Sequence, residues 1–322
     1  NFTITAGSVE LSTYNVRMTV GGFTFTNTGG YTSSGGGTLI FEAAGTITGA
    51  GTFSNMDVRT GGATTVDLGS AITFSGILYL RGGDLDIRNL VMTFSDVLVR
   101  PQIYKSVVPT GGGSANIIAV GGGGGGSIAW NAGATTYDLT YYGAANWPAI
   151  NFAKEWIPAR LNNLTISTGT AAYTVTLPAG AVTMKGVLTV DAAQTLDLGT
   201  NTLTASGASK AHLVKGTVSN GTFDITGDSS TLTGSTTTAH LAAVNNLTIT
   251  GASVSSSNIK TISGNLVVTG ASASIVMNAV TAVISGSVTI NTAAVADPVT
   301  LTMAATTSTH TGSLTITKGA LT

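Results

Sequence analysis

The densest charged stretch of this sequence is formed by Arg81, Asp84, Asp86 and Arg88. In an extended chain Asp84 and Asp86 fall on one side of a strand, about 7 Å apart. Two carboxylates at that spacing could flank a glycosidic bond, but arginines on either side point instead to a solvated ion-pair face. Asp224 and Asp228, beside Gly227, could bind calcium. They lack the dense Asp/Asn/Gly spacing of calcium loops and read better as turn residues. His212, His240 and His310 have no acidic neighbours in sequence, so neither a nucleophile triad nor a zinc site has a visible ligand set; surface or turn positions are expected for them. Gly121 to Gly126 are six glycines in a row, with no Gly-Lys-Ser or Gly-Lys-Thr after them, so they do not form a phosphate loop. No catalytic, cofactor-binding or metal-ligating residue is assigned, and the chain is expected not to be an enzyme.

Binding residues are easier to propose. All three tryptophans, Trp130, Trp147 and Trp156, lie close to Tyr137, Tyr141 and Tyr142. These rings could stack on sugar or contact a protein, or they could plug a wide coil or a junction. Asn1, Asn163, Asn220 and Asn246 each begin an Asn-x-Thr sequon and would permit N-glycosylation in a suitable host.

The elements that carry these residues follow from a repeated phrase. Asn55-Met56-Asp57-Val58, Asn163-Leu164-Thr165-Ile166 and Asn246-Leu247-Thr248-Ile249 each open a run that soon reaches a glycine and another alternating segment. Ile72-Thr73-Phe74, Val182-Thr183-Met184 and Leu266-Val267-Val268 show the period-2 alternation of strands with one buried face. Short strands bordered by turn residues and repeated along the chain predict stacked coils, each burying its apolar face against its neighbours. The three asparagines are spaced near multiples of about 21 residues, a period within the solenoid range, which predicts that they share one corner of the tube.

Composition agrees. Charged residues are 8% and aromatics 6% of the chain, 43% is hydrophobic, and there are 43 glycines. This excludes a disordered polyelectrolyte and an ordinary helical protein. Parallel stacking explains the scarcity of charge, because like residues pile up every ~4.8 Å and stacked charges repel. At about 21 residues per coil the chain predicts on the order of fifteen coils and a rod roughly 70 Å long. A net charge of −1 argues against nucleic acid, which needs a basic stripe. No apolar run is long enough for a transmembrane helix, so no membrane insertion is expected. With no cysteine, neither disulfides nor a thiolate metal site contributes.

The sequence divides into a first β-helical region, 1–100, a Gly- and aromatic-rich insertion or junction, 101–160, and a second β-helical region, 161–322. Thr136-Tyr137-Asp138-Leu139-Thr140-Tyr141-Tyr142-Gly143, then Glu155-Trp156-Ile157-Pro158 and Leu161 to Ile166, resembles the repeat regions of large secreted bacterial surface proteins. So does Gly51 to Asn55 leading into Val66-Asp67-Leu68-Gly69-Ser70. That family is adhesin-like, is often exported by the type IX route, and is predicted to form right-handed parallel β-helices. The resemblance covers most of residues 37 to 204. It implies an all-β, right-handed parallel β-helix (β-solenoid) and an extracellular or cell-surface location.

Neither terminus reads as a polar or helical cap. Asn1 to Thr5 already read as strand, so a mature or trimmed product is expected. The expected function is that of an extracellular structural protein, a homopolymer forming a surface filament, sheath or fibrous layer by head-to-tail stacking. An adhesin segment that binds a surface glycan or a protein through the aromatic insertion is the alternative, and a phage fibre or tailspike part is third.

Overall fold

Thr, Val, Ile and Ser favour pleated backbone, and alternation then decides which side chains turn inward. Ile72 and Phe74 are buried around half-buried Thr73, and Val182 and Met184 likewise enclose Thr183. The structure, a computed structural model, describes residues 1–5, 8–11, 13–28, 30–32, 37–60, 65–82, 84–94, 102–106, 117–118, 127–130, 136–142, 156, 160–168, 171–234, 243–278, 281–291, 299–303, 307–316 and 320–321. It is an all-β parallel β-solenoid. By contacts the chain falls into two units, Asn1–Ala145 with Ile150–Ile157, and Asn146–Ala149 with Pro158–Thr322.

In the first unit three strands make a coil, and each strand pairs in parallel with its counterpart one coil on. The first sheet runs from Phe2–Ile4 through Phe23–Asn27, Gly45–Thr48, Thr65–Leu68 and Asp84–Asp86 to Ile117–Ile118. The second runs from Ser8–Glu10 to Ser127–Trp130 and the third from Val16–Met18 to Tyr137–Tyr142. Register puts like on like, as in Phe2 on Phe25, Thr3 on Thr26 and Phe53 on Phe74. The core is therefore a column of rings: Phe2 and Phe25 stack at 5.3 Å, and Phe25 meets the edge of Phe41 at 5.9 Å. Segment 101–160 supplies Gln102–Ser106, Ile117–Ile118, Ser127–Trp130 and Tyr137–Tyr142, which extend these same sheets. The glycine run 121–126 lies outside the described residues.

The second unit also has three faces. One column of inward residues passes through Val175, Leu196, Val218, Val244, Ile262 and Ile284. Another passes through Val182, Leu203, Phe223, Leu247, Leu266 and Val288. The third carries Leu188–Val190, Ala211–Val214, Ser230–Thr233 and Ser253–Ser257. Thr217–Ile225 and Ala243–Thr250 each turn a corner within one strand, with a register shift between Val218 and Thr222.

The repeated asparagines are corner fasteners. Asn55 Oδ1 accepts from the Ile77 N–H one coil on at 3.1 Å, Asn163 Oδ1 from Val187 at 2.7 Å, and Asn246 Oδ1 from Asn265 at 2.8 Å. Asn265 in turn accepts from Ser287 at 2.8 Å. Each fastened N–H follows a glycine, Gly76, Gly186, Gly264 or Gly286, and a Cβ there would press on the asparagine oxygen, at 2.7 Å for Gly76 and 2.6 Å for Gly286. The expectation of one shared corner is corrected. Asn163 leads into the face that holds Leu188 and Ala211–Val214, whereas Asn246 leads into the face that holds Leu203 and Phe223. Coil length is the reason: bonds between neighbouring coils span from 18 to 26 residues, so a fixed period loses phase.

The pairing of Asn246 with Gly264 gives a direct test. Asn246→Ala removes the acceptor for Asn265, and Gly264→Ala drives a methyl into Asn246 Oδ1; each should cost about 1–3 kcal/mol. In the double variant the overlap is gone, so a denaturation cycle should show a coupling of about 1–2 kcal/mol. Additive losses would refute the fastening role.

Candidate functional site

The charged stretch does not converge on one site. Asp84–Asp86 pairs with Thr65–Leu68 so that Asp86 lies in register with Asp67, two carboxylates on adjacent rungs. Such stacking repels, and Arg88 relieves it. Its Nη2 donates to Asp67 Oδ2 at 2.6 Å and its backbone N–H to Asp86 Oδ1 at 2.7 Å. Arg88 takes a left-handed conformation, φ 53°, to do so. The hydrogen bond to Asp67, then the nearby charge, raises the guanidinium pKa above its ordinary value. Asp86 is buried and Asp84 half-buried, so no open pair of carboxylates is left to flank a sugar.

Arg81 faces a different partner. Met56–Arg59 pairs with Ile77–Gly82, with Tyr79 beside Asp57. Met56 and Val58 are core residues, so Asp57 and Arg59 face the other way. Arg59 donates from Nε at 3.0 Å and from Nη2 to Asp57 Oδ2, and Arg81 Nε stands 3.6 Å from the same oxygen. Arg81 also lies over the Tyr79 ring, 4.5 Å from its centroid. This grouping of Asp57, Arg59, Tyr79 and Arg81 was missed in sequence. The available signal was the Asp57-x-Arg59 and Tyr79-x-Arg81 spacing, which puts each pair on one strand face.

The aromatic set divides. Tyr137 and Tyr141 are buried around Leu139, so their rings fill the core and leave the set of proposed contact residues. Tyr142 points the other way and is half-buried; Trp156, also half-buried, stacks on Tyr141 at 6.0 Å. Trp130 ends a strand in register with Phe94. Trp147 lies outside the described residues.

His212 is corrected from a surface or turn position to a core one. It alternates with buried Val214, so it points inward, between Leu188 and Leu232 in the column. Its Nδ1 accepts from the Leu188 N–H at 3.1 Å, its ring meets Phe223 edge-on at 5.6 Å, and Nε2 is buried with no partner among the described residues. Burial, then the charge of Lys210, lowers its pKa to about 4. His310 is exposed and touches the Gly286 carbonyl at 3.0 Å; His240 lies outside the described residues.

Asp224 and Asp228 do not converge. Asp224 accepts from Thr250 at 3.0 Å, with burial raising its pKa; Asp228 accepts from the Ser253 N–H at 2.9 Å, which lowers its own. Among the described residues no group of three or more His, Cys, Asp or Glu stands close enough to hold a metal. Of the sequons, Asn246 engages both ends of its amide, its Nδ2 donating to Gly221 O at 2.7 Å, and Asn163 fastens Val187. Asn1 accepts from the Thr24 N–H at 3.1 Å. Asn220 sits at an exposed turn, φ 53°, with Nδ2 donating to Asp197 at 2.8 Å.

On several outward faces hydroxyls form ladders. Thr52, Thr73 and Thr93 share one column, Ser274 donates to Ser253 at 3.1 Å, and Ser287 meets Ser313 at 2.9 Å. Comparison with protein families, curated proteins and solved structures finds no match for this chain.

Proposed function

We propose that this chain is an extracellular structural protein that assembles head to tail into a surface filament, sheath or fibrous layer. One observation carries the reading. In the rung Leu314–Ile316, Leu314 is 48% and Ile316 43% exposed, although they stack on Val288 and Ile290, which are 3% and 0% exposed. A further parallel strand stacked on this rung would cover those two side chains and continue the ladder. A second copy's first rung, with Phe2 and Ile4 facing its own core, supplies a surface of the same kind. Stacking of this type is heterologous and does not close, so it propagates. The resemblance of its repeat phrasing to that of large secreted bacterial surface proteins supports a place at the cell surface. An adhesin role is the second reading, now resting on half-buried Tyr142 and Trp156.

Sedimentation velocity tests the assembly. The unmodified chain is expected to grow with concentration, and the Leu314→Lys/Ile316→Lys variant to stay monomeric with an unchanged circular dichroism spectrum. Equal polymerisation of the two, or a monomer throughout, would overturn the proposal.

A further inference from the structure

The group around Asp57 has the makings of a binding site. The side chain of Asp57 is 2% exposed, and both Arg59 and Arg81 address one of its oxygens, Oδ2, while Oδ1 has no partner among the described residues. Two guanidiniums thus share one carboxylate, and the group keeps an excess positive charge. Each guanidinium has five N–H donors; Arg59 directs Nε and Nη2 at Asp57, while Arg81 Nε makes no hydrogen bond. Their side chains are 29% and 35% exposed, so the remaining donors are held at the surface by a buried anchor.

A distortion of the sheet aims them there. Register with Met56–Arg59 shifts between Leu80 and Gly82, leaving Arg81 as the extra residue of a bulge. Bulges re-aim side chains and recur beside sites. This one sets Arg81 over the ring of Tyr79, and Tyr104 follows Tyr79 in register on the next rung. In a chain with 13 Lys and Arg in all, two arginines on one carboxylate over an aromatic residue is a concentrated feature. A planar fork fits a carboxylate in two-point fashion, and the Tyr79 ring under Arg81 holds that fork in place.

We infer that Arg59 and Arg81, held by Asp57 and the Tyr79 ring, form a surface site for a carboxylate-bearing ligand, of which an oligomeric uronic acid is the probe. The site is independent of the assembly reading, since it lies on a sheet exterior rather than on an open rung. Isothermal titration of the full chain with oligogalacturonate tests it, with the methyl-esterified oligomer and dextran sulfate as comparison ligands. Binding of the acid but not the ester is expected. R81Q should lose about tenfold or more in affinity, R81K should recover only part because an ammonium lacks the fork, and K215Q in the second unit should bind like the unmodified chain. Circular dichroism of R81Q separates lost binding from lost fold. Failure to bind the acid, equal binding of the ester, preference for dextran sulfate, or unchanged affinity in folded R81Q would each overturn the assignment.

Discussion

Replacing Gly207 by alanine is expected to destabilise the second unit by about 3 kcal/mol, the upper end for an overpacked site. A Cβ at Gly207 would overlap the Lys185 carbonyl oxygen and lie 2.8 Å from its carbon. Both atoms belong to the backbone of the coil below, whose position is fixed by bonds such as Ser206 N–H to Met184 O at 2.9 Å. Neither can step aside without breaking the ladder. One coil on, a Cβ at Gly227 would overlap the Gly207 carbonyl oxygen in the same way, and Gly286 and Gly312 repeat the contact at another corner, on the Gly264 and Gly286 carbonyls. These glycines are required for the close approach of successive rungs. Gly21→Ala is the control, because nothing lies within 4 Å of its added methyl; it should change stability by less than about 0.5 kcal/mol. Denaturant midpoints of the two variants would decide, and similar values would refute the account of the corners.

Acid is expected to weaken the second unit through His212. Its folded pKa, about 4, lies below the ordinary 6.5, so the unfolded chain binds more protons between those values. Stability from this group is fully present above about pH 6.5 and is lost as pH falls toward 4. A difference of that size corresponds to about 3 kcal/mol. Protonation has two structural consequences: a charge enters the column between Leu188 and Leu232, and Nδ1 stops accepting from the Leu188 N–H. His212→Leu should flatten the pH dependence in this window. At pH 7 its apolar gain offsets the unmet Leu188 N–H only in part, and near pH 4.5 it should exceed the unmodified chain in stability. Urea titrations at the two pH values provide the check; parallel pH profiles for both proteins would contradict the burial argument.

How far these features could be read in advance differs from residue to residue. Alternation identified the strands correctly, because Ile72-Thr73-Phe74 and Val182-Thr183-Met184 have few other ways to bury their apolar side. Parallel stacking followed from repetition. Phase did not, since coils vary in length and Thr217–Ile225 hides a corner inside what reads as one run. In sequence Tyr137 and Tyr141 stand open between a contact platform and rings that plug a coil, although the alternation in Tyr137-Asp138-Leu139-Thr140-Tyr141 points them inward. His212 reads as a surface or turn position because Ala211 and Leu213 are the apolar alternates of its run, whereas the strand turns His212 and Val214 to the core. The split of Arg81 from Arg88 was beyond sequence reasoning. It depends on which residues of neighbouring coils lie in register, Asp57 for one and Asp67 for the other, and on a bulge that the spacing of apolar residues does not reveal.

Electron microscopy of the purified chain at neutral pH, over a range of concentrations, tests end-to-end stacking most directly. Unbranched filaments of uniform width that lengthen with concentration, with a ~4.8 Å rung repeat along their axis in fibre diffraction, are the predicted result. Separate particles of constant size at every concentration would contradict it.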